Sequence, residues 1–350
     1  MGLKVALTYN LKREIKNSDL PDDYYSEFDS EETIKTIADA LRSGGHEIYL
    51  VEADKGLLNW FQNNKVDIVF NIAEGLRGES RESQVPAILD FLNIPYTGSG
   101  VLALSVSLNK ALTKKLLEET GIPTAKYKLF KTPDDISDAG LKYPLIIKPN
   151  SEGSAKGISI SNVVRNREEL AREVERVYRV YNQAILVEEF IEGKELTVGI
   201  LGNGSPTMLP ILEIDFSSCK SSGEYFYTWK VKEYEKEVDE SLGLTPIWHC
   251  PARLNEEENR KVIDVALRAH SIIGCVDFSR VDIRLSKEGT PYVLEVNPLP
   301  GLDPIDSNLP YIAKCAGLSY ANLINKILEL AIERHKLKNQ DFALEERSLH

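Results

Sequence analysis

From Ser279 to Asn297, apolar and polar residues alternate through two runs separated by Lys287, Glu288 and Gly289, and this pattern reads as a β-hairpin. With unbroken pairing, Leu285 would face Tyr292, Ile283 would face Leu294 and Val281 would face Val296, leaving one side wholly apolar. The other side would set Asp282 beside Glu295 and Arg280 beside Asn297. Like charges opposite each other on a sheet face destabilise it unless something neutralises them. Hard oxygen donors of this kind suit Mg2+ carrying phosphates. A solvated acidic face on an edge hairpin would use the same residues, so the hairpin alone leaves both readings open. Either way it demands a sheet with one buried face.

A chain of 350 residues with 42% hydrophobic and 27% charged content can build two or three domains with cores of their own. A formal net charge of −12 argues against a general nucleic-acid binder, which needs excess Lys and Arg to displace counterions. A locally basic pocket for an anionic small molecule remains compatible with that charge. The first residues read as a strand rather than a leader, and no apolar run approaches the ~20 residues of a membrane span. Cys219, Cys250, Cys275 and Cys315 show neither metal-ligand nor redox spacing, and the five histidines are scattered. Zinc chemistry is not expected, and a cytoplasmic location is.

Strand and helix signals alternate through the first hundred residues: Lys4 to Thr8, a helical run containing Ile34, Ile37, Ala38 and Leu41, then Glu47 to Val51 and Asp67 to Asn71. That order implies a parallel sheet flanked by helices. The stretch from Asn10 to Ser30 is acidic, Tyr-rich and too long for an ordinary turn, so it is functional or mobile. Asn93 to Gly100 reads as a strand ending in a tight loop, and Leu108 to Thr120 as a helix. Tyr143 to Pro149 reads as a strand delivering Lys148, followed by a Gly/Ser loop to Gly157 whose backbone N–H groups could approach phosphate oxygens. After a helix from Glu168 to Arg179, Ala184 to Gly199 reads as a strand pair with Glu188 and Glu195 near its turn. Cys219 to Gly243, carrying Phe226, Tyr227, Trp229 and Lys232, reads as a lid. A helix from Ala321 to Arg334 closes the third unit.

Lysine-bearing strand, Gly/Ser loop, hinge, aromatic lid and carboxylate hairpin follow one another in an order that resembles the ATP-grasp superfamily. Within it the chain is similar to the D-alanine-D-alanine ligase family, through Pro95 to Gly100, Asn109-Lys110, Ile147 to Pro149 with Glu152 to Ser154, Glu188 to Ile191 with Glu195, Arg280 to Asp282, Leu294 to Asn297 and Pro300-Gly301. The resemblance implies an α/β ATP-grasp fold: an N-terminal Rossmann-like domain (1–110), then two α+β subdomains that clamp ATP (111–199 and 200–335), and a charged tail (336–350). It implies that Lys110 and Lys148 contact ATP phosphates, with Ser154 in the loop that closes over them. Glu188, Glu189, Phe190, Ile191 and Leu294 would line the nucleotide, Glu195 would accept from the ribose, and Lys232 would reach the nucleotide from the lid. Asp282, Glu295 and Asn297 would hold two Mg2+ ions, a role Mn2+ can also fill. Arg280 and the backbone N–H of Gly301 would stabilise charge at the acyl centre. Ser307 and Asn308 lie where the family binds the second substrate's carboxylate, and a homodimer is implied.

The front third departs from the family pattern. Members have a glycine-rich loop bearing Ser and Glu after the first strand and a His-Gly segment rich in acids after the third. Here those places hold Thr8 to Lys12 and Asn71 to Gly75. Glu74, or an acid from the Asp19 to Glu32 insert, is the expected partner for a substrate ammonium. Ala155-Lys156 adds a charge beside the lid hinge. The expected activity is ATP-dependent amide formation between small carboxylate and amine substrates, amino acids, through an acyl phosphate. The rivals are a true D-alanine-D-alanine ligase and a nucleotide-binding regulator without catalysis.

Overall fold

The computed structural model describes residues 2–14, 20–138, 140–234 and 243–337. Asp19, residues 235–242 of the expected lid and the expected tail from residue 338 onward lie outside the described residues. The first unit is a parallel sheet of β1 (Lys4–Tyr9), β2 (Glu47–Glu52) and β3 (Ile68–Asn71), in the order β2-β1-β3. β3 is buried along its whole length, as a parallel strand covered on both faces must be. Helices α1 (Glu31–Ser43), α2 (Leu57–Asn63) and α3 (Gln84–Leu92) cover it, and α1 turns Ile34, Ile37, Ala38 and Leu41 inward. The strand expected over Asn93 to Gly100 is a single bridge between Tyr96 and Val69.

Two helices follow, α4 (Val101–Leu108) and α5 (Lys110–Glu119). The helix expected from Leu108 begins instead at Lys110, because Asn109 is extended and its side chain accepts the Leu112 N–H at 3.1 Å. The second unit is an antiparallel sheet of β4 (Tyr127–Phe130), β5 (Leu145–Pro149), β6 (Val163–Val164) and β7 (Ile185–Glu189), ordered β4-β7-β5-β6, with α6 (Arg167–Tyr181) on one face. The third sheet holds β8 (Gly193–Leu201), β9 (Thr207–Met208), β10 (Leu212–Asp215), β11 (Ile247–His249), β12 (Phe278–Ser286) and β13 (Pro291–Asn297). The short lid helix α7 (Trp229–Tyr234), α8 (Glu256–Ile273), α9 (Asn308–Cys315) and α10 (Tyr320–Arg334) complete the order.

Two expectations need correction. β7 and β8 do not pair; they belong to different sheets, and the chain crosses between them at Phe190 to Glu192. The third unit therefore begins at β8, ahead of residue 200. In the hairpin, Arg280 faces Asn297, Val281 faces Val296 and Asp282 faces Glu295, but a bulge after Asp282 pairs Ile283 with Val293. Leu294 is left as the extra residue and lines the cavity described below instead of joining the apolar face.

Leu7 and Ile37 share one core with Leu309, Ile324 and Leu328, so the first and third units are packed together through α1 and α10. Helices α4, α5 and α8 bury the apolar face of the third sheet. Among the described residues no helix is long and apolar enough to cross a membrane.

Candidate active site

A cavity of about 320 Å³ opens where the first sheet, the Gly/Ser loop, the lid and the carboxylate hairpin meet. Lys110 stands in the first turn of α5, where the Asn109 cap and a backbone bond from its own N–H to Asn150 O (3.0 Å) fix the helix start. Its ammonium reaches the Glu152 carbonyl and lies 3.5 Å from Glu295, so a lysine of one unit meets a carboxylate of another. Lys148, on β5, is paired with Glu188 on the neighbouring β7. Glu188 also holds Lys114 at 2.6 Å. Burial pushes the Glu188 carboxyl up, but Lys114 and Lys148 outweigh it and hold its pKa at about 2. The Gly/Ser loop lays Ser154 and Ala155 in left-handed conformations, at φ 50° and 55°, and Ser154 borders the cavity. At Gly157, φ is +75° and a Cβ would come within 2.8 Å of Pro149 and Tyr181, so only glycine closes this turn.

On the opposite wall Arg280 grips Asp282 with both arms, at 2.9 and 2.8 Å. Asn297 donates to the same carboxylate at 2.9 Å and the Thr197 hydroxyl also donates to it. Burial opposes this ionised form, but Arg280 and the Thr197 hydroxyl hold the Asp282 pKa below its ordinary value. Asp282, Glu295 and Asn297 all border the cavity, and two carboxylates with an amide oxygen suit a hard cation. Among the described residues no group of three or more His, Cys, Asp or Glu is arranged to hold a metal ion by itself. Glu195 borders the cavity from β8 and is bridged by Arg284 at 2.7 Å. A Cβ at Gly301 would sit 2.7 Å from the Ser307 hydroxyl, which accepts the Asp303 N–H at 3.1 Å. Gly301, Ser307, Asn308, Lys232 and Glu74 also line the cavity.

Glu188, Glu189, Phe190 and Ile191 are not among the cavity-lining residues. Glu188 faces the two lysines, Glu189 accepts the Lys142 N–H at 2.9 Å, and Phe190 packs on Phe226 of the lid at 5.5 Å.

Several site residues escaped the sequence reading because their partners are remote in the chain. Glu27 of the acidic insert has a side chain only 4% exposed, lies 2.5 Å from Arg81 and accepts the Gly153 N–H at 2.7 Å. Arg81 also donates to Ser151 O at 2.8 Å, and Lys156 bridges Glu152 at 2.6 Å and Glu27 at 3.4 Å. Asp23 accepts from the Gly157 N–H at 2.7 Å and from Tyr181. The insert thus fastens the Gly/Ser loop at two points. Glu82 borders the cavity beside Glu74, and burial together with Glu27 raises its pKa to about 8. Burial, Glu82 and Glu27 push the Glu74 carboxyl up as well.

Two antiparallel sheets closing on a lysine-lined cavity, with a carboxylate hairpin opposite, define an ATP-grasp fold. The family described as D-ala D-ala ligase C-terminus matches residues 116–329. An uncharacterised protein, y4sG, of Sinorhizobium fredii is 32% identical over 308 residues, covering 86% of this chain and 87% of that protein. The D-alanine–D-alanine ligase of Halalkalibacterium halodurans is 35% identical over 306 residues, covering 86% and 93%. The chain belongs to the D-alanine–D-alanine ligase family, and it is an ATP-dependent ligase forming a carbon–nitrogen bond. The fold agrees with the crystal structure of the Bacillus anthracis D-alanine–D-alanine ligase complexed with ATP, at a TM-score of 0.75 and 24% identity over 96% of this chain and 100% of that one. The VanG D-Ala:D-Ser ligase of Enterococcus faecalis gives a TM-score of 0.71 at 24% identity, over 95% and 100%.

Proposed function

We propose that this chain joins two amino acids through an acyl phosphate at the expense of ATP, with D-alanine as both substrates. The names of the curated relatives support D-alanine above a changed substrate. The observation that carries the chemistry is the approach of Lys110 to Glu295 at 3.5 Å, which brings the phosphate side and the carboxylate side of the cavity together. Lys110 and Lys148 hold the transferred phosphate, and Ser154 sits in the loop over it. Glu195, held by Arg284, accepts from the ribose, while Lys232 contacts the nucleotide from the lid. Asp282, Glu295 and Asn297 hold Mg2+, which when bound neutralises phosphate charge. Catalysis is then a matter of positioning and fixed charge. The first substrate's carboxylate attacks the terminal phosphate, ADP leaves, and the second substrate's amine displaces phosphate from the acyl centre. Arg280 and the Gly301 N–H stabilise the oxyanion there. Ser307 and Asn308 receive the second carboxylate. Glu27 is neutralised by Arg81 and Lys156, so Glu74, with Glu82 beside it, is the ammonium partner. The enzyme is a cytoplasmic homodimer.

A second reading is favoured by one observation: Glu74, Glu82 and Asp29 all border the cavity at the substrate end, and three carboxyls gathered there suit a first substrate with an additional cationic group. Mg-dependent ADP release with D-alanine alone, and with a panel of D- and L-amino acids including basic ones, decides between them. The dipeptide of D-alanine, detected by mass, supports the first reading, and turnover only with a basic donor supports the second. Silence across the panel overturns both. Glu74→Gln should raise KM for the first substrate roughly tenfold or more, as loss of a charged hydrogen bond does.

A further inference from the structure

Lys114 is 1% exposed and lies outside every role assigned so far. Its ammonium is 2.6 Å from Glu188 and donates to the Thr124 hydroxyl at 2.7 Å. Thr124 in turn donates to Val293 O on β13 at 2.9 Å, so Lys114 is anchored from the second and third units at once. Glu188, itself 1% exposed, is shared between Lys114 and Lys148. Two ammonium groups around one carboxylate leave the trio with one net positive charge. Without Lys114, Glu188 and Lys148 would form a closed neutral pair, and Lys148 would have little charge to offer a phosphate.

We infer that Lys114 is a positioning residue for nucleotide binding: it shares Glu188 so that Lys148 faces the ATP phosphates as a cation. The inference rests on the ATP reading above. The three residues are brought together by α5, β5 and β7, so the arrangement is a product of the fold and invisible to any one motif.

The test is the affinity for adenosine 5′-(β,γ-imido)triphosphate with Mg2+, by calorimetry, in wild type, Lys114→Met, Glu188→Gln and the double variant. Lys114→Met should weaken binding roughly ten- to hundredfold, the worth of a charge-assisted hydrogen bond, and raise KM for ATP far more than KM for the amino acids. The double variant restores the single positive charge and should recover most of the lost affinity. A role in packing alone predicts the reverse, since a second buried substitution adds damage. Lys114→Met binding like wild type, or a double variant no better than the single, overturns the inference. If Lys114→Met does not fold, Glu188→Gln decides, because it must bind at least as tightly as wild type, and weaker binding overturns the inference. Failure of the wild type to bind the nucleotide would count against the ATP reading itself.

Discussion

Glu82 and Asp29 carry the clearest pH signature among the residues at the substrate end. Burial and Glu27 raise Glu82 to about 8, and burial and Asp303 raise Asp29 to about 7. A carboxyl with a raised folded pKa keeps its proton when folded but loses it when unfolded, so its contribution is present at low pH and lost as pH rises through the folded value. His270, His46 and His335 are lowered, chiefly by burial, and act oppositely, but only below the ordinary histidine value of 6.5. Between pH 6.5 and about 8 the carboxyls therefore dominate, and the unliganded protein should lose stability across that window. Thermal melts of wild type and Glu82→Gln check this: the variant should show a shallower fall, and a wild-type Tm rising through the window would contradict the assignment. The shared face of Asp282 and Glu295 was legible because each sits on a strand whose alternation fixes its side, and both border the cavity with Lys148. Glu27 and Arg81 were not legible, because they meet across 54 positions of chain. Nothing local marks either one as the partner of the other.

Elements were legible where their signals are local. α1 announces itself through its apolar period, and the structure adds the Ser30 cap, whose hydroxyl accepts the Thr33 N–H at 3.0 Å. The β7–β8 pairing was misread because strand composition does not say which sheet a strand joins: β8 finds β12 and β10 rather than β7. The bulge in β13 was missed for a similar reason, since both registers place an apolar residue opposite Ile283. It bears on the site, because it turns Leu294 into the cavity. The break at Asn109 matters as much. Its side chain caps α5 and accepts from Asn150 at 3.0 Å, fixing the turn that carries Lys110. Asn109→Ala should cost about 1 kcal/mol of stability, as lost N-caps do, and raise KM for ATP several-fold. Urea denaturation and steady-state kinetics would show it, and an unchanged KM would mean that the cap does not place Lys110.

At the scale of the molecule, the acidic insert is the least expected part. It joins the first unit to the Gly/Ser loop through Glu27 and Asp23, and to the lid through Ser26, which accepts the Trp229 indole N–H at 2.8 Å. Lys12 adds an exposed pair with Glu233 at 2.9 Å, which contributes little by itself. Three units thus close on one cavity, with Lys110 and Lys148 on one wall and the hairpin carboxylates on the other. That closure is what a ligase passing through a water-sensitive acyl phosphate requires. The most direct test follows the oxygen atoms. With D-alanine labelled with ¹⁸O in its carboxyl group, or the substrate the panel selects, turnover with Mg-ATP should place one labelled oxygen in the released inorganic phosphate. Dipeptide formed with unlabelled phosphate would contradict the acyl-phosphate route on which the account rests.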